Sequence, residues 1–425
     1  MSLNNTTGNI HSLVDHLFRR ESGKMVSVLT RVFGFNDMET AEDIVQETMY
    51  KALQEWPFHA VPDNPAAWLY KVARNKAIDT LRKQKRLVYN TDSVASMALM
   101  EMNVSGRIDD LFLDHEIQDS QLRMIFACCY PEISIESQIA LTLKTLCGFS
   151  IKEIAKAFVT GEETINKRLL RAKQKIRSEQ IKLEVPTGNQ LTERLQSVLK
   201  TIYLLFNEGY NASDAENLIR HDICLEAMRL VILLTEQPAT NLPETQALLA
   251  LMCFHAARFD SRADKDGSII LLKDQDRKLW NRELLQRGYY YLARASEGMV
   301  PNEYSIEAAI MAVHCTAESY DKTDWLSILS LYEALEDIKG TPVVKLNKAI
   351  VMGQIEGPVT AIDEILNHVP MKGYYLYHAT LGELYLQNKE PGKAKEHLER
   401  AIALTESKAE KRLMEKKLAT MIIDY

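Results

Sequence analysis

Apolar residues recur three and four positions apart along almost the whole of this chain, and nowhere do they alternate over the length of a strand. A side-chain period of 3.6 buries one face of a helix and cannot bury one face of a strand. The 17 glycines and 12 prolines fall between the helix-period segments, so the chain is expected to be all-α. Its 425 residues, 46% of them hydrophobic, suffice for substantial cores and predict roughly two to four domains. No run approaches the ~20 apolar residues that cross a bilayer, so no membrane partner is expected. The opening MSLNNTTGNIHSLVDHLF lacks the basic start and long apolar stretch of a signal peptide. Cys128, Cys129, Cys147, Cys224, Cys253 and Cys315 show no CxxC and no metal-type spacing. Reduced, buried thiols in a cytoplasmic protein without a metal are the expectation.

Charge is distributed unevenly. Residues 1–186 hold 24 basic and 24 acidic side chains; residues 187–425 hold 27 and 34, so the whole excess of -7 belongs to the second half. Two basic islands stand out: Lys71 to Arg86, with seven cations against one acid, and Ser150 to Lys182, with nine against four. Cations act on phosphates within about one Debye length, near 10 Å, so such islands count for more than the global sum. Both lie on amphipathic helices, which favours nucleic acid over a merely solvated face.

The second island reads as two short helices joined by Phe158-Val159-Thr160-Gly161. Ser150-x-x-Glu153 and Thr160-x-x-Glu163 both have the form of capping boxes. Ile151, Ile154, Ala155 and Phe158 form one buried stripe; Ile165, Leu169, Ala172 and Ile176 form the next. Opposite the latter lie Thr164, Lys167, Arg171 and Gln174, with Arg168 and Lys175 on the flank. A helix anchored on one side and presenting Thr, Lys and Arg on the other suits the DNA major groove, and the pair is a helix-turn-helix.

The first island begins at Asn64-Pro65, a cap followed by a first-turn proline. Leu69, Ala73, Ala77 and Leu81 face inward. Trp68, Lys71, Asn75, Asp79, Arg82 and Arg86 face the other way, with Lys83 beside them. An aromatic ring among amide, acid and guanidinium groups can stack unpaired bases while holding their backbone. Taken alone, Trp68 could equally be core at a helix junction. Upstream, AEDIVQETMYKALQ turns Ile44, Val45, Thr48 and Ala52 inward and Asp43, Gln46, Glu47, Tyr50 and Gln54 outward. That outer stripe has no cation and reads as a protein-docking face.

AEDIVQETMYKAL, AAWLYKVARNKAIDTLRKQKR and SIKEIAKAFVTGEETINKRLLRAKQKIR, in that order, resemble bacterial RNA polymerase sigma factors of the extracytoplasmic-function (ECF) type. The resemblance covers roughly residues 10–182. It implies region two at 8–88, a linker at 89–113 following the polymerase surface, and region four at 114–184. It further implies core RNA polymerase and promoter DNA as partners. Asp43, Gln46 and Glu47 become polymerase contacts. Trp68, Lys71, Asn75, Asp79, Arg82, Lys83 and Arg86 become contacts to the -10 element. Thr164, Lys167, Arg168, Arg171 and Lys175 become contacts to the -35 element. Glu163 departs from the pattern, since many such factors have glycine there, and an acid at that helix start repels phosphate locally.

After the break VPTGNQ, residues 190–425 continue as helix after helix. Counted from Tyr375, the residues Leu381, Gly382, Tyr385, Ala394, Leu398 and Ala401 fall on the packing positions of a tetratricopeptide repeat of about 34 residues. His378 stands where such repeats usually have Trp, and the late Pro is absent. A second unit at 342–368 has Ala361 and Ile365 correctly spaced but no matching first helix. YLLFNEGYNAS, ALLALMCFHAARFDSRAD, LLKDQDRKLWN and TDWLSILSLYEAL resemble the extension of one sigma-factor group with a tetratricopeptide-like tail. In them Asn207, Glu208, Arg258, Arg262, Asp274, Asp276, Arg277 and Trp280 form a polar set amid apolar helices. Buried opposite charges must be paired, which favours an ion network between helices over a pocket for a peptide, protein or small ligand. His255, His314 and His378 read as packed or surface histidines.

The resulting expectation is an alternative sigma factor whose extension regulates or supports its activity. The excess acid of the extension suggests that it restrains the basic helices. The other reading, a helix-turn-helix regulator with a sensing domain, does not need the Trp68–Arg86 face. With no nucleophile elbow, P-loop, GxGxxG or metal cluster, neither catalysis nor a cofactor is expected.

Overall fold

The computed structural model describes residues 2–88, 108, 110–158, 160–211, 219–264, 268–297 and 300–423, apart from the side chains of 2–12, 85–88 and 422–423. The expected linker, 89–113, lies largely outside them. Among the described residues there is no strand, only an isolated bridge between Ala263 and Ile269. No described helix is long and apolar enough to cross a membrane.

The chain divides into two compact units, residues 1–156 with 160–204, and residues 157–159 with 205–425. In the first, α1 (Ser2–Phe33), α2 (Met38–His59) and α3 (Pro65–Val88) precede α4 (Asp114–Cys128), α5 (Ile135–Thr145), α6 (Ile151–Ala157) and α7 (Glu162–Ser178). α1 is the common wall, packing on α2 and α3 and also on α4 and α5. Its inner side buries Met25, Val28 and Leu29 with Ile44, Val45, Leu69 and Ala73 of its neighbours. This unit runs past the VPTGNQ break to Leu204, within α8 (Asn189–Tyr210). There Arg194 donates to the Phe126 carbonyl (2.5 Å) and lies over the Tyr130 ring, and Ser197 donates to the Cys129 carbonyl (2.9 Å).

The second unit contains α9 (His221–Glu236), α10 (Pro243–Ala256), α11 (Arg282–Ala295), α12 (Glu303–Thr316) and α13 (Trp325–Ile338). α14 (Pro342–Glu356), α15 (Pro358–His368), α16 (Tyr375–Gln387), α17 (Pro391–Leu404) and α18 (Lys408–Ile423) complete it. α10 is apolar on every side and accordingly buried nearly throughout, as a central helix must be. The pair α14–α15 recurs as α16–α17, with starts at 342 and 375 and again at 358 and 391. The first helix missing from the sequence pattern at 342–368 is therefore present. Small residues set the closeness of each pair: a methyl on Gly382 would lie 2.8 Å from the Leu398 side chain, and one on Gly353 would lie 2.8 Å from the Ala361 methyl.

Candidate nucleic-acid interface

α6 opens with the expected reciprocal cap. The Ser150 N–H donates to Glu153 Oε2 (2.8 Å), and the Glu153 N–H donates to Ser150 Oγ (3.2 Å). Burial raises the Glu153 carboxyl, but the Ser150 amide and hydroxyl, with Arg19, outweigh it and hold it below its ordinary range. The second expected box, Thr160 to Glu163, does not form. α7 starts one residue too late for it, with Gly161 as cap and no side-chain bond. Thr160 lies outside the helix with its N–H bound to the Ala155 carbonyl, and Glu163 pairs forward with Lys167 at 2.7 Å. Glycine is a tolerated cap, and two acids in the first turn favour the helix dipole without one.

Along α7, Ile165, Leu169, Ala172 and Ile176 are buried. That anchors the helix and leaves Thr164, Lys167, Arg171 and Gln174 exposed, with Arg168 and Lys175 half-buried beside them. Arg168 and Arg171 make no ion pair among the described residues. Lys175 donates to Glu179 at 2.7 Å, which holds its ammonium above its ordinary value.

α3 is capped by Asn64, whose Oδ1 accepts from the Ala67 N–H at 3.1 Å. Leu69, Ala73 and Ala77 are buried; Lys71, Asn75, Asp79, Arg82 and Lys83 are exposed. Arg82 and Asp79 pair at 3.3 Å, so the one acid of the face is offset on the face itself. Trp68 is half-buried, edge-on to the buried Trp56 with centroids 5.4 Å apart. One edge is thereby fixed while part of the ring stays open to solvent. The Arg86 side chain lies outside the description. On α2, Asp43, Gln46, Glu47, Tyr50 and Gln54 are all exposed, and Lys76 of α3 reaches Glu47 at 2.5 Å.

The seam between α1–α3 and α4–α7 was not legible as a site. Lys173 of α7 bonds Glu39 (3.3 Å) and Glu42 (3.2 Å) of α2, and Arg177 bonds Glu39 (3.2 Å) and the Asn36 carbonyl. Lys173 first, then Arg177, hold the Glu39 carboxyl below its ordinary range. Across α1, Arg31 pairs with Glu116 (2.5 Å) and Asp119 (3.0 Å), while Arg19 pairs with Glu153 and lies over the Phe149 ring. Where α1 meets the turn that ends α5 stands Gly23. A methyl there would fall 2.6 Å from the Leu146 carbonyl carbon and 3.0 Å from its Cα. Mid-helix glycine costs about 1 kcal/mol relative to alanine, and this anomaly is the one signal the sequence offered.

In the extension, the expected ion network is corrected. Asp274 and Asp276 are exposed, and among the described residues no carboxylate pairs with Arg258, Arg262 or Arg277. Their counter-charge comes mainly from the carbonyl ends of helices. Arg262 donates to the Tyr210 carbonyl at the end of α8 (2.5 Å) and to Asn211 Oδ1, and covers the Tyr210 ring at 3.6 Å. Arg277 donates to the His314 and Ala317 carbonyls at the end of α12 (2.5 and 2.8 Å) and stacks on Trp280. Arg258, 7% exposed, donates to the Tyr210 hydroxyl (2.8 Å). A helix C-terminus carries about half a negative charge, which is why cations settle there without an acid. Asp276 instead caps a turn through the Lys278 N–H (2.9 Å), and the Trp280 Nε1–H donates to Ser261 Oγ (3.0 Å). Asn207 and Glu208 are half-buried on α8. Burial, then Arg258 and Arg262, push His255 well below its usual value. His314 is pushed down to about 4 by burial, Arg258 and Arg277. His378 pairs ring to ring with His397 at 3.0 Å.

Three family signatures match the chain: Sigma-70 region 2 over residues 17–87, Sigma-70 region 4 over 123–176, and a family of unknown function, DUF6596, over 194–296. An uncharacterized protein of Rhizobium meliloti (strain 1021) is 36% identical over 381 residues, 88% of each chain. The ECF RNA polymerase sigma factor SigL of Mycobacterium tuberculosis is 30% identical over 31% of this chain and 70% of its own length. The ECF RNA polymerase sigma-E factor of Haemophilus influenzae is 29% identical over 38% of this chain and 83% of its own. No solved structure matches.

Proposed function

Since the chain belongs to the ECF RNA polymerase sigma factors, we propose that α7 reads the -35 element, α3 reads and helps melt the -10 element, and the outer face of α2 docks on core polymerase. The supporting observation is the division of labour on α7. Four buried apolar residues fix its orientation, while Thr164, Lys167 and Arg171 stand exposed on the opposite side. Arg171 addresses base edges, where a good bidentate contact gives about 1–3 kcal/mol of discrimination. Lys167 and Lys175 serve the phosphates. On α3, Lys71, Arg82 and Lys83 hold the backbone, and Asn75 with the open part of Trp68 receives a base turned out of the stack.

Run-off transcription with core polymerase tests this reading. Promoter-specific initiation on adding the full chain is expected. Arg171→Ala should lower promoter affinity roughly 10- to 100-fold at constant salt. Trp68→Ala should spare closed-complex binding and reduce permanganate reactivity of the melted strand. Duplex binding without any initiation would instead favour a regulator that is not a polymerase subunit.

For the extension, a partner that tunes this activity is part of the same proposal. Truncations that probe it should end after Leu204. A chain ending at Gly188 also loses the Arg194 and Ser197 bonds to α4 and its C-terminal turn, and would report damage to region four instead.

A further inference from the structure

The extension encloses a cavity of about 540 Å³, within the size range of small-molecule sites. Its walls are mostly apolar and aromatic, formed by Leu271, Trp325, Tyr332, Ile350, Leu376 and Leu413. The charge at its lining is not balanced pair by pair. Lys273 and Lys417 both bond one carboxylate, Glu383, the former at 2.8 Å. Burial would raise that carboxyl, but Lys417 and Lys273 together take it down to about 2. An ammonium has three donors, so each lysine keeps donors that Glu383 does not take, those of the exposed Lys273 open to solvent. Glu410, the other acid of the lining, is occupied by the hydroxyls of Tyr375 and Thr405.

A second observation points the same way. His314 also lines the cavity, and its Nδ1 is buried without a partner. Behind it stand Arg258 and Arg277, each with a buried guanidinium nitrogen that has no hydrogen-bond partner. The lining therefore combines apolar walls, two ammonium groups that share one carboxylate, and a field made positive by arginines that have no carboxylate partner among the described residues. A cation would meet that field unfavourably, and a neutral hydrocarbon would leave it unanswered.

We propose that this cavity binds an apolar ligand ending in one carboxylate, which completes a two-to-two set with Lys273, Lys417 and Glu383. A free carboxylic acid and the C-terminus of a peptide with apolar last residues share that chemistry. The proposal does not depend on the sigma reading.

Calorimetry with the full chain tests it, using four probes: decanoate below its micellar concentration, decanol, a short leucine-alanine peptide with a free C-terminus, and the same peptide amidated. Saturable one-to-one binding of decanoate or of the free-acid peptide is expected, at least tenfold tighter than its uncharged counterpart; which of the two binds tells the source. Lys417→Met and Lys273→Met should each weaken it at least tenfold. Leu413→Trp, which fills the cavity and leaves both lysines, should abolish it with the helical signal unchanged. Absence of saturable binding by all four probes overturns the proposal. So does equal affinity for charged and uncharged partners, or indifference to both lysine variants.

Discussion

Two groups of cations in the molecule find their partners in opposite ways. In the first unit, Arg19, Arg31, Lys173 and Arg177 cross from one helix group to the other and end on carboxylates. In the extension, Arg262 and Arg277 end on the carbonyls of helix termini, and Arg258 on a phenol. A half-exposed pair of opposite charges is weak, about 1 kcal/mol or less, and is screened by salt. A guanidinium on a helix end is tied to backbone that moves only if the helix does. The first arrangement suits surfaces that part and rejoin; the second suits a fixed interior with a lasting positive field.

The largest test of that contrast is Gly23→Leu. Overpacking typically costs about 1–3 kcal/mol, and here the obstacle is backbone, so the closed seam should be lost. Spin labels at Gln54→Cys and Gln174→Cys should separate, while helical content stays unchanged. Labels that stay put in a well-folded variant would show that the seam does not rely on this notch.

The field in the extension should appear as a pH dependence. His314 is neutral in the folded chain, with its pKa at about 4 against an ordinary 6.5. As the pH falls through that window, the unfolded chain takes up a proton that the folded one refuses, so stability drops by on the order of 2–3 kcal/mol, and above 6.5 the effect is absent. Denaturant melts at pH 7, 5.5 and 4.5 should show this drop, and His314→Gln should reduce it, leaving the part that the buried His255 contributes in the same direction.

Smaller again is the effect of Lys173→Met with Arg177→Met. The pair should weaken the closed seam by about 1–2 kcal/mol, and added salt should reproduce most of the change in the unaltered chain. Arg258→Met should be the mildest, within about 1 kcal/mol of neutral or stabilising, because no carboxylate among the described residues is left stranded. A loss larger than that of the seam variant would invert the contrast between the two groups of cations.

Much of this was legible in the sequence, because periodicity reports burial directly. The stripes Ile165–Leu169–Ala172–Ile176 and Leu69–Ala73–Ala77 are buried as their spacing demands. The exposed stripes of α2, α3 and α7 follow by subtraction. What could not be read depends on distance in the chain. In sequence Lys173 is only one of the nine cations of its island, because nothing local says that Glu39, 134 residues away, stands opposite. The ion network of the extension failed for a related reason. Composition supplied acids and bases in equal view, but backbone carbonyls at helix ends, which have no letter of their own, took the arginines. The Thr160 box failed by a single position, since Gly161 served as cap in its place.

The seam also sets a limit of length. A unit of about 200 residues has a radius of gyration of about 16 Å, hence a width of about 40 Å. Twenty-five base pairs, the interval between the positions that give the two promoter elements their names, measure about 85 Å along straight duplex at ~3.4 Å per step. Even smooth bending through 40–90° costs roughly 1–6 kcal/mol and would not halve that interval. The proposed reading of both elements by α3 and α7 therefore requires the seam held by Lys173 and Arg177 to open.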